Sequence, residues 1–251
     1  MPTSATTLPT CISPASATAT DARRLLWATL VGATLLLAGC ASAGDRATRD
    51  GLVDLQAVVP DIRLDIRYAG THNFVGTPIR GYDAPKCYLL RPAVESLQRV
   101  EADLRAQGLA LRVFDCYRPV RAVAHFVRWA HDLDDQRSKP QYYPNLDKRA
   151  LLGDYIAPSS GHSRGATVDL TLLRCDDDGR CTALDMGTDF DFFDVRANTD
   201  SLLVSAQQRR NRGHLRTAMA RHGFGNYPLE WWHYTLALDP APTTAFDVPV
   251  R

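Results

Sequence analysis

Ser160-Gly161-His162-Ser163-Arg164-Gly165-Ala166-Thr167-Val168-Asp169 sets an imidazole on a turn and a carboxylate on the strand that the turn enters. From Ala166 the apolar residues alternate as Ala166, Val168, Leu170 and Leu172, which leaves Thr167, Asp169 and Thr171 on the other, polar face. Gly161 and Gly165 bracket His162 with positions free to take unusual backbone angles, so a tight turn can swing the imidazole over that face toward Asp169. A His and an Asp that converge are the beginning of a metal site. A catalytic zinc usually takes three protein ligands and leaves the fourth position to water. Downstream, Glu230-Trp231-Trp232-His233 supplies a third ligand and a spare carboxylate. Residues three apart on a regular strand face opposite ways, so a kink or a helical turn has to bring Glu230 and His233 to one pocket. The sequence leaves open which.

Farther upstream, Phe114-Asp115-Cys116-Tyr117-Arg118-Pro119 completes a pattern with Ser160-x-His162-x-x-Gly165-x-x-x-Asp169 and Glu230-x-x-His233. Together they resemble the zinc D-alanyl-D-alanine dipeptidases, over a span from residue 55 to residue 240. The resemblance implies one zinc per chain held by His162, Asp169 and His233. It implies Glu230 as the catalytic base, Arg118 against the developing oxyanion, and Ser160 and Asp191 as the residues that orient the substrate. The fold it implies is that of the zinc DD-peptidases and Hedgehog-like domains. An α+β domain around an antiparallel sheet is also what the element order calls for, because helices and strands do not alternate as regular βαβ units. The implied activity is zinc-dependent hydrolysis of D-Ala-D-Ala in cell-wall peptide metabolism. Two rivals stand beside it: a DD- or LD-carboxypeptidase acting on peptidoglycan stem peptides, and a non-catalytic envelope lipoprotein that binds wall peptides. A binder has no need of the base at Glu230.

With 29 basic against 28 acidic side chains in 251 residues, no global field attracts nucleic acid. A small neutral or zwitterionic substrate suits such a balance better, and the resemblance implies that it is a dipeptide. The ordinary hydrophobic content and the lack of any repeat point to one domain.

Arg23-Arg24 precede an apolar run from Leu25 to Ala38, too short to span a bilayer comfortably, where about 20 residues are needed. The run ends in Leu37-Ala38-Gly39-Cys40, which resembles a bacterial lipobox. Residues 1–39 are therefore expected to be an N-terminal extension and lipoprotein signal, with lipid on Cys40 as the membrane anchor. That places the protein in the bacterial cell envelope facing the periplasm, and Ser42 after the cysteine points to the outer membrane. Residues 40–52 read as a tether, 53–240 as the catalytic domain and 241–251 as a disordered tail. Cys11 and Cys40 belong to the N-terminal segment, leaving four cysteines and three possible pairings. Cys175 and Cys181 flank an Asp178-Gly179 turn signal, which predicts a stapled hairpin and leaves Cys87 for Cys116 in an oxidising compartment.

Other segments fill in the frame. Ile62, Leu64, Ile66 and Tyr68 alternate as a strand, and residues 70–86 read as a loop. Ala93, Val94, Leu97, Val100 and Leu104 recur at helical spacing between Pro92 and Gly108. Leu109, Leu111 and Val113 make a strand that delivers Arg118, and Pro119 opens a helix. Residues 134–158 read as a long loop. The stretch 200–222 predicts a helix whose Arg209, Arg210, Arg212, Arg216 and Arg221 form a solvated face. His72, His125, His131, His214 and His222 lack a carboxylate at ligand spacing, and no metal is assigned to them.

Overall fold

The computed structural model describes residues 48, 49 and 51–251. The expected signal, Cys11, Cys40 and most of the tether lie outside the described residues. In chain order the strands are β1 (Thr48–Arg49), β2 (Leu52–Asp54), β3 (Arg63–Leu64), β4 (Tyr88–Leu90), β5 (Leu109–Asp115), β6 (Thr167–Cys175), β7 (Cys181–Ala183), β8 (Phe224–Asn226) and β9 (His233–Leu236). Three long helices join them, α1 (Arg91–Arg105), α2 (Val120–His131) and α3 (Ala206–Ala220). A small antiparallel sheet runs β1-β2-β4, and a larger one runs β3-β5-β6-β9-β8 with β7 paired to the outer part of β6. Only the β3–β5 pair is parallel, so the main sheet is largely antiparallel, and the domain is α+β as expected.

The spine is the β5–β6 ladder, which runs from Leu109↔Arg174 at one end to Asp115↔Asp169 at the other. At that second end β9 lies on the opposite edge of β6 with Asp169 facing His233. Three strands therefore carry Asp115, Asp169 and His233 into one row. The face of β6 expected to be polar is not solvated: Thr167, Asp169 and Thr171 are buried along with Val168, Leu170 and Leu172. Helix α1 buries Ala93, Val94, Leu97, Val100 and Leu104 on one side, as its spacing predicts. The same side also buries Glu101, whose carboxylate accepts the Leu111 N–H at 2.8 Å and so fixes α1 to β5.

The structure departs from expectation at further places, among them the stretch 134–158 read as a loop, which holds short helical turns at Lys139–Tyr142 and Lys148–Leu151. The alternating run at 62–68 is a two-residue strand followed by a 3-10 turn at Arg67–Ala69, because β5 pairs only with Arg63 and Leu64. That turn sends Tyr68 inward. β1 lies within the stretch read as a tether and β2 begins at its end, with Thr48 paired to Val53 and Arg49 to Leu52. Arg212 is not on a solvated face. It is fully buried and donates to Met186 O and Asn198 O, both at 2.7 Å, and burial lowers its pKa to about 10. Finally, the segment 241–251 is not disordered. Val250 is buried and bridges to Tyr82, Phe246 N–H donates to Ser163 O at 2.9 Å, and Arg121 grips the Asp247 carboxylate through Nε and Nη2 at 3.0 Å each.

Candidate functional site

The turn predicted around His162 is a 3-10 turn, Gly161–Arg164. Ser160 caps it, its hydroxyl oxygen accepting the His162 N–H at 3.3 Å. Gly165 ends it in the left-handed region at φ 76°, with Leu52 so near that a Cβ would stand 2.6 Å from its side chain. Only glycine fits there. Glu230 and His233 come together through a turn: Glu230 N–H donates to Tyr227 O at 3.1 Å and His233 N–H to Glu230 O at 3.3 Å. A tight reversal before β9 is therefore what the Glu-x-x-His spacing needed.

His162 Nε2 stands 3.3 Å from Asp169 Oδ2 and 3.2 Å from His233 Nδ1, and His233 Nδ1 stands 3.0 Å from Asp169 Oδ1. On the other side of its ring, His162 Nδ1 lies 2.7 Å from Cys116 O. A carbonyl oxygen only accepts, so Nδ1 carries the proton and, in the neutral ring, Nε2 presents its lone pair to the cluster. Asp169 Oδ1 is buried with no hydrogen bond of acceptable geometry despite its nearness to His233. The lone pairs of an imidazole and a carboxylate thus converge with a second imidazole, and a cation is the partner that satisfies such an arrangement. Two nitrogens and one carboxylate oxygen within 4.8 Å of one another fit the donor set of an open zinc site. Among the described residues this is the one such group.

Around the cluster runs a network in which Asp115, assigned no role from the sequence, is central. It is buried and accepts from Tyr82 OH at 2.6 Å and from Arg118 Nε at 3.0 Å, with His162 Nδ1 3.5 Å away. Arg118 Nη2 lies 2.9 Å from Asp115 and 3.6 Å from Asp169, and the guanidinium lies over the Tyr68 and Phe126 rings, 5.2 and 5.1 Å from their centroids. Burial opposes the charge on Arg118, but the acidic groups around it raise its pKa well above the ordinary value. The result is a fixed cation aimed beside the metal cluster. One signal for Asp115 was available, its place beside Cys116 in the quoted motif, while its pairing with Asp169 emerges only in the fold.

A cavity of about 240 Å³ opens onto these residues, lined also by Ser160, Asp191, Tyr155, Trp232 and Phe193. Asp191 is buried with φ 60°, a left-handed angle that few non-glycine residues adopt. Tyr68 OH donates to both its oxygens, at 3.1 and 2.9 Å. Burial, then the nearby Asp169 charge, push the Asp191 carboxyl well above its usual range, and a cation docking beside it would favour the ionised form. Glu230 Oε2 lies 3.5 Å from His233 Nδ1. Burial pushes its carboxyl up to about 7, with His233 opposing and Asp169 adding to the rise. Such a group exchanges protons readily near neutrality. The five other histidines take no part in the group.

Both expected disulfides form, Cys87–Cys116 and Cys175–Cys181. The first lies beside the cluster and the second at the far end of the β5–β6 ladder.

Comparison with known proteins agrees with this geometry. A family model described as D-ala-D-ala dipeptidase matches residues 48–251. A D-alanyl-D-alanine dipeptidase of Enterococcus faecium is 38% identical over 202 residues, covering 80% of this chain and 98% of that protein. One from Streptomyces coelicolor is 41% identical over 194 residues, 77% of this chain and 95% of its own. One from Escherichia coli is 32% identical over 185 residues, 74% and 84% of the two chains.

Proposed function

The chain belongs to the D-alanyl-D-alanine dipeptidase family, and from that footing we propose that it hydrolyses D-Ala-D-Ala to two D-alanines with one zinc per chain. The observation that carries the reading is the convergence of His162, Asp169 and His233 with Glu230 and Arg118 on one small cavity.

His162 Nε2, Asp169 and His233 Nδ1 are the atoms that would hold the ion. Zinc so held supplies a Lewis acid that polarises the scissile carbonyl and acidifies water. Glu230 takes the proton from the attacking water and passes it to the leaving amine. Arg118, clamped by Asp115 and lying over two rings, opposes the charge that builds on the carbonyl oxygen without having to reorganise. Asp191, held by Tyr68, receives the substrate ammonium, whose charge relieves the penalty of burying a carboxylate. Ser160 uses its oxygen as a cap, which leaves its hydroxyl proton to donate to the substrate. Assay of the purified, zinc-replete protein against D-Ala-D-Ala, L-Ala-L-Ala and a stem pentapeptide tests the reading. Preference for the first supports it, cleavage mainly of the pentapeptide makes the protein a carboxypeptidase, and no turnover of any D,D-peptide makes it a binder.

The place of this reaction is the cell envelope, with the protein anchored through lipid on Cys40 and serving cell-wall peptide turnover. Leu37-Ala38-Gly39-Cys40 after the apolar run supports the anchor, and two disulfides suit an oxidising compartment. Cys40→Ala is expected to release the protein from the membrane fraction, and unchanged fractionation would refute the anchor.

A further inference from the structure

We propose that the Cys87–Cys116 disulfide is a positioning device for the metal ligand His162, fixing the carbonyl that receives the His162 Nδ1 proton and thereby setting zinc affinity. The proposal rests on the zinc reading above and deepens it.

The argument starts from what holds Cys116. The β5–β6 register shifts between Val113 and Asp115, and its last pair is Asp115↔Asp169. Cys116 thus lies one residue beyond the ladder, where the β5–β6 pairing no longer holds its carbonyl in place. Yet that carbonyl makes the 2.7 Å contact that fixes the His162 tautomer. The sulfur bridge holds the segment, together with Tyr117 N–H to Tyr88 O at 2.9 Å and Arg118 N–H to His162 O at 3.3 Å. Cys87 is well anchored in turn. Its carbonyl accepts from Leu55 N–H at 2.8 Å, and it leads into β4, which pairs with β2 through Leu52, Val53 and Asp54. The disulfide therefore ties the small sheet to the loose end of β5, and both cysteines are buried.

If the bridge is absent, Cys116 O keeps only the backbone ties through Tyr117 and Arg118, its contact with Nδ1 loosens, and the imidazole can place its proton on Nε2, which then has no lone pair for a metal. Partners of this kind, one bond removed from the ion, typically change metal affinity by about 10- to 100-fold. The second disulfide provides the internal control. Cys175 and Cys181 are already register partners in the β6–β7 pair, the bridge spans 6 residues, and it touches none of the metal ligands.

The test uses the full chain in four forms: unaltered, Cys87→Ala/Cys116→Ala, the volume-restoring Cys87→Ala/Cys116→Val, and Cys175→Ala/Cys181→Ala. Zinc affinity is read by competition with a chromophoric chelator, and the His162 tautomer by ring nitrogen NMR of the folded, zinc-free protein. A merely stabilising bridge would not move the tautomer. The expected result is zinc binding about 10- to 100-fold weaker in either Cys87/Cys116 variant, with His162 shifting toward the Nε2–H form, and affinity within about two-fold for the Cys175/Cys181 variant. Folded Cys87/Cys116 variants with unaltered affinity and tautomer would overturn the proposal. So would failure of both to fold in circular dichroism, which would assign the bridge to stability instead. An unaltered protein that binds no zinc would overturn the zinc reading itself.

Discussion

The two ends of the β5–β6 ladder use the same kinds of residue to opposite effect. At the Arg174 end, beside the Cys175–Cys181 bridge, Arg180 pairs with Asp176 at 3.1 Å and with Asp178 at 2.7 Å, and all three side chains are largely exposed. At the Asp169 end, beside Cys87–Cys116, Arg118 pairs with Asp115 at 2.9 Å, the carboxylate buried and the guanidinium largely shielded from water. Exposed pairs contribute about 0–1 kcal/mol each, since water screens them and the chain entropy of holding them is not recovered. The buried set is fixed and desolvated, with Asp169 Oδ1 left without a hydrogen bond, and that makes it reactive. Surroundings rather than residue type decide which end is a site.

Breaking the buried end at the metal should have the largest effect. His162→Ala removes a ligand, so the protein should lose stoichiometric zinc in metal analysis. Hydrolysis of D-Ala-D-Ala should then fall more than about 10³-fold, as expected when several kcal/mol of electrophilic stabilisation is lost. Arg118→Ala should come next. Removing one fixed oxyanion partner costs about 10²- to 10³-fold, read mainly in kcat while bound zinc stays at one per chain. A loss confined to KM would instead make Arg118 a binding residue.

Arg212 sharpens the comparison because it is a buried cation away from the metal cluster. Arg212→Met leaves the carbonyls of Met186 and Asn198 without their donor, each such loss costing about 1–3 kcal/mol. Urea unfolding should show a stability loss of that order with zinc affinity unchanged. At the exposed end, Arg180→Ala should shift the thermal midpoint by no more than about 2 °C and leave turnover untouched. A marked loss of activity there would erase the distinction between the ends.

The sequence disclosed the site better than its surroundings. His162 and Asp169 sit seven residues apart across a glycine-bracketed turn, and a local pattern of that kind can be read without knowing the fold. The same is true of Glu230 and His233, three apart, and of α1 with its apolar spacing. Asp115 was hidden because its importance comes from cross-strand register with Asp169, a contact between residues 54 positions apart in the numbering. Arg212 looked like one of five solvated arginines because nothing local marks which of them meets the loop carrying Met186 and Asn198. The last eleven residues, rich in Pro and Thr, looked disordered. Their order comes from backbone bonds to Gly81, Asp83, Val120 and Ser163, partners far away in the chain. What escapes a reading of the sequence is non-local pairing, and here non-local pairing supports the ligands instead of supplying them.

The central claim is that Glu230 moves the proton at a site whose metal is held by others. Glu230→Gln keeps the size of the side chain but cannot accept that proton, and the three ligand atoms stay in place. Zinc content and D-Ala-D-Ala turnover should be measured on the same zinc-replete sample of this variant. The account predicts one zinc per chain, KM close to that of the unaltered protein, and kcat lower by about 10²- to 10⁴-fold. Near-normal hydrolysis with full zinc occupancy would contradict it.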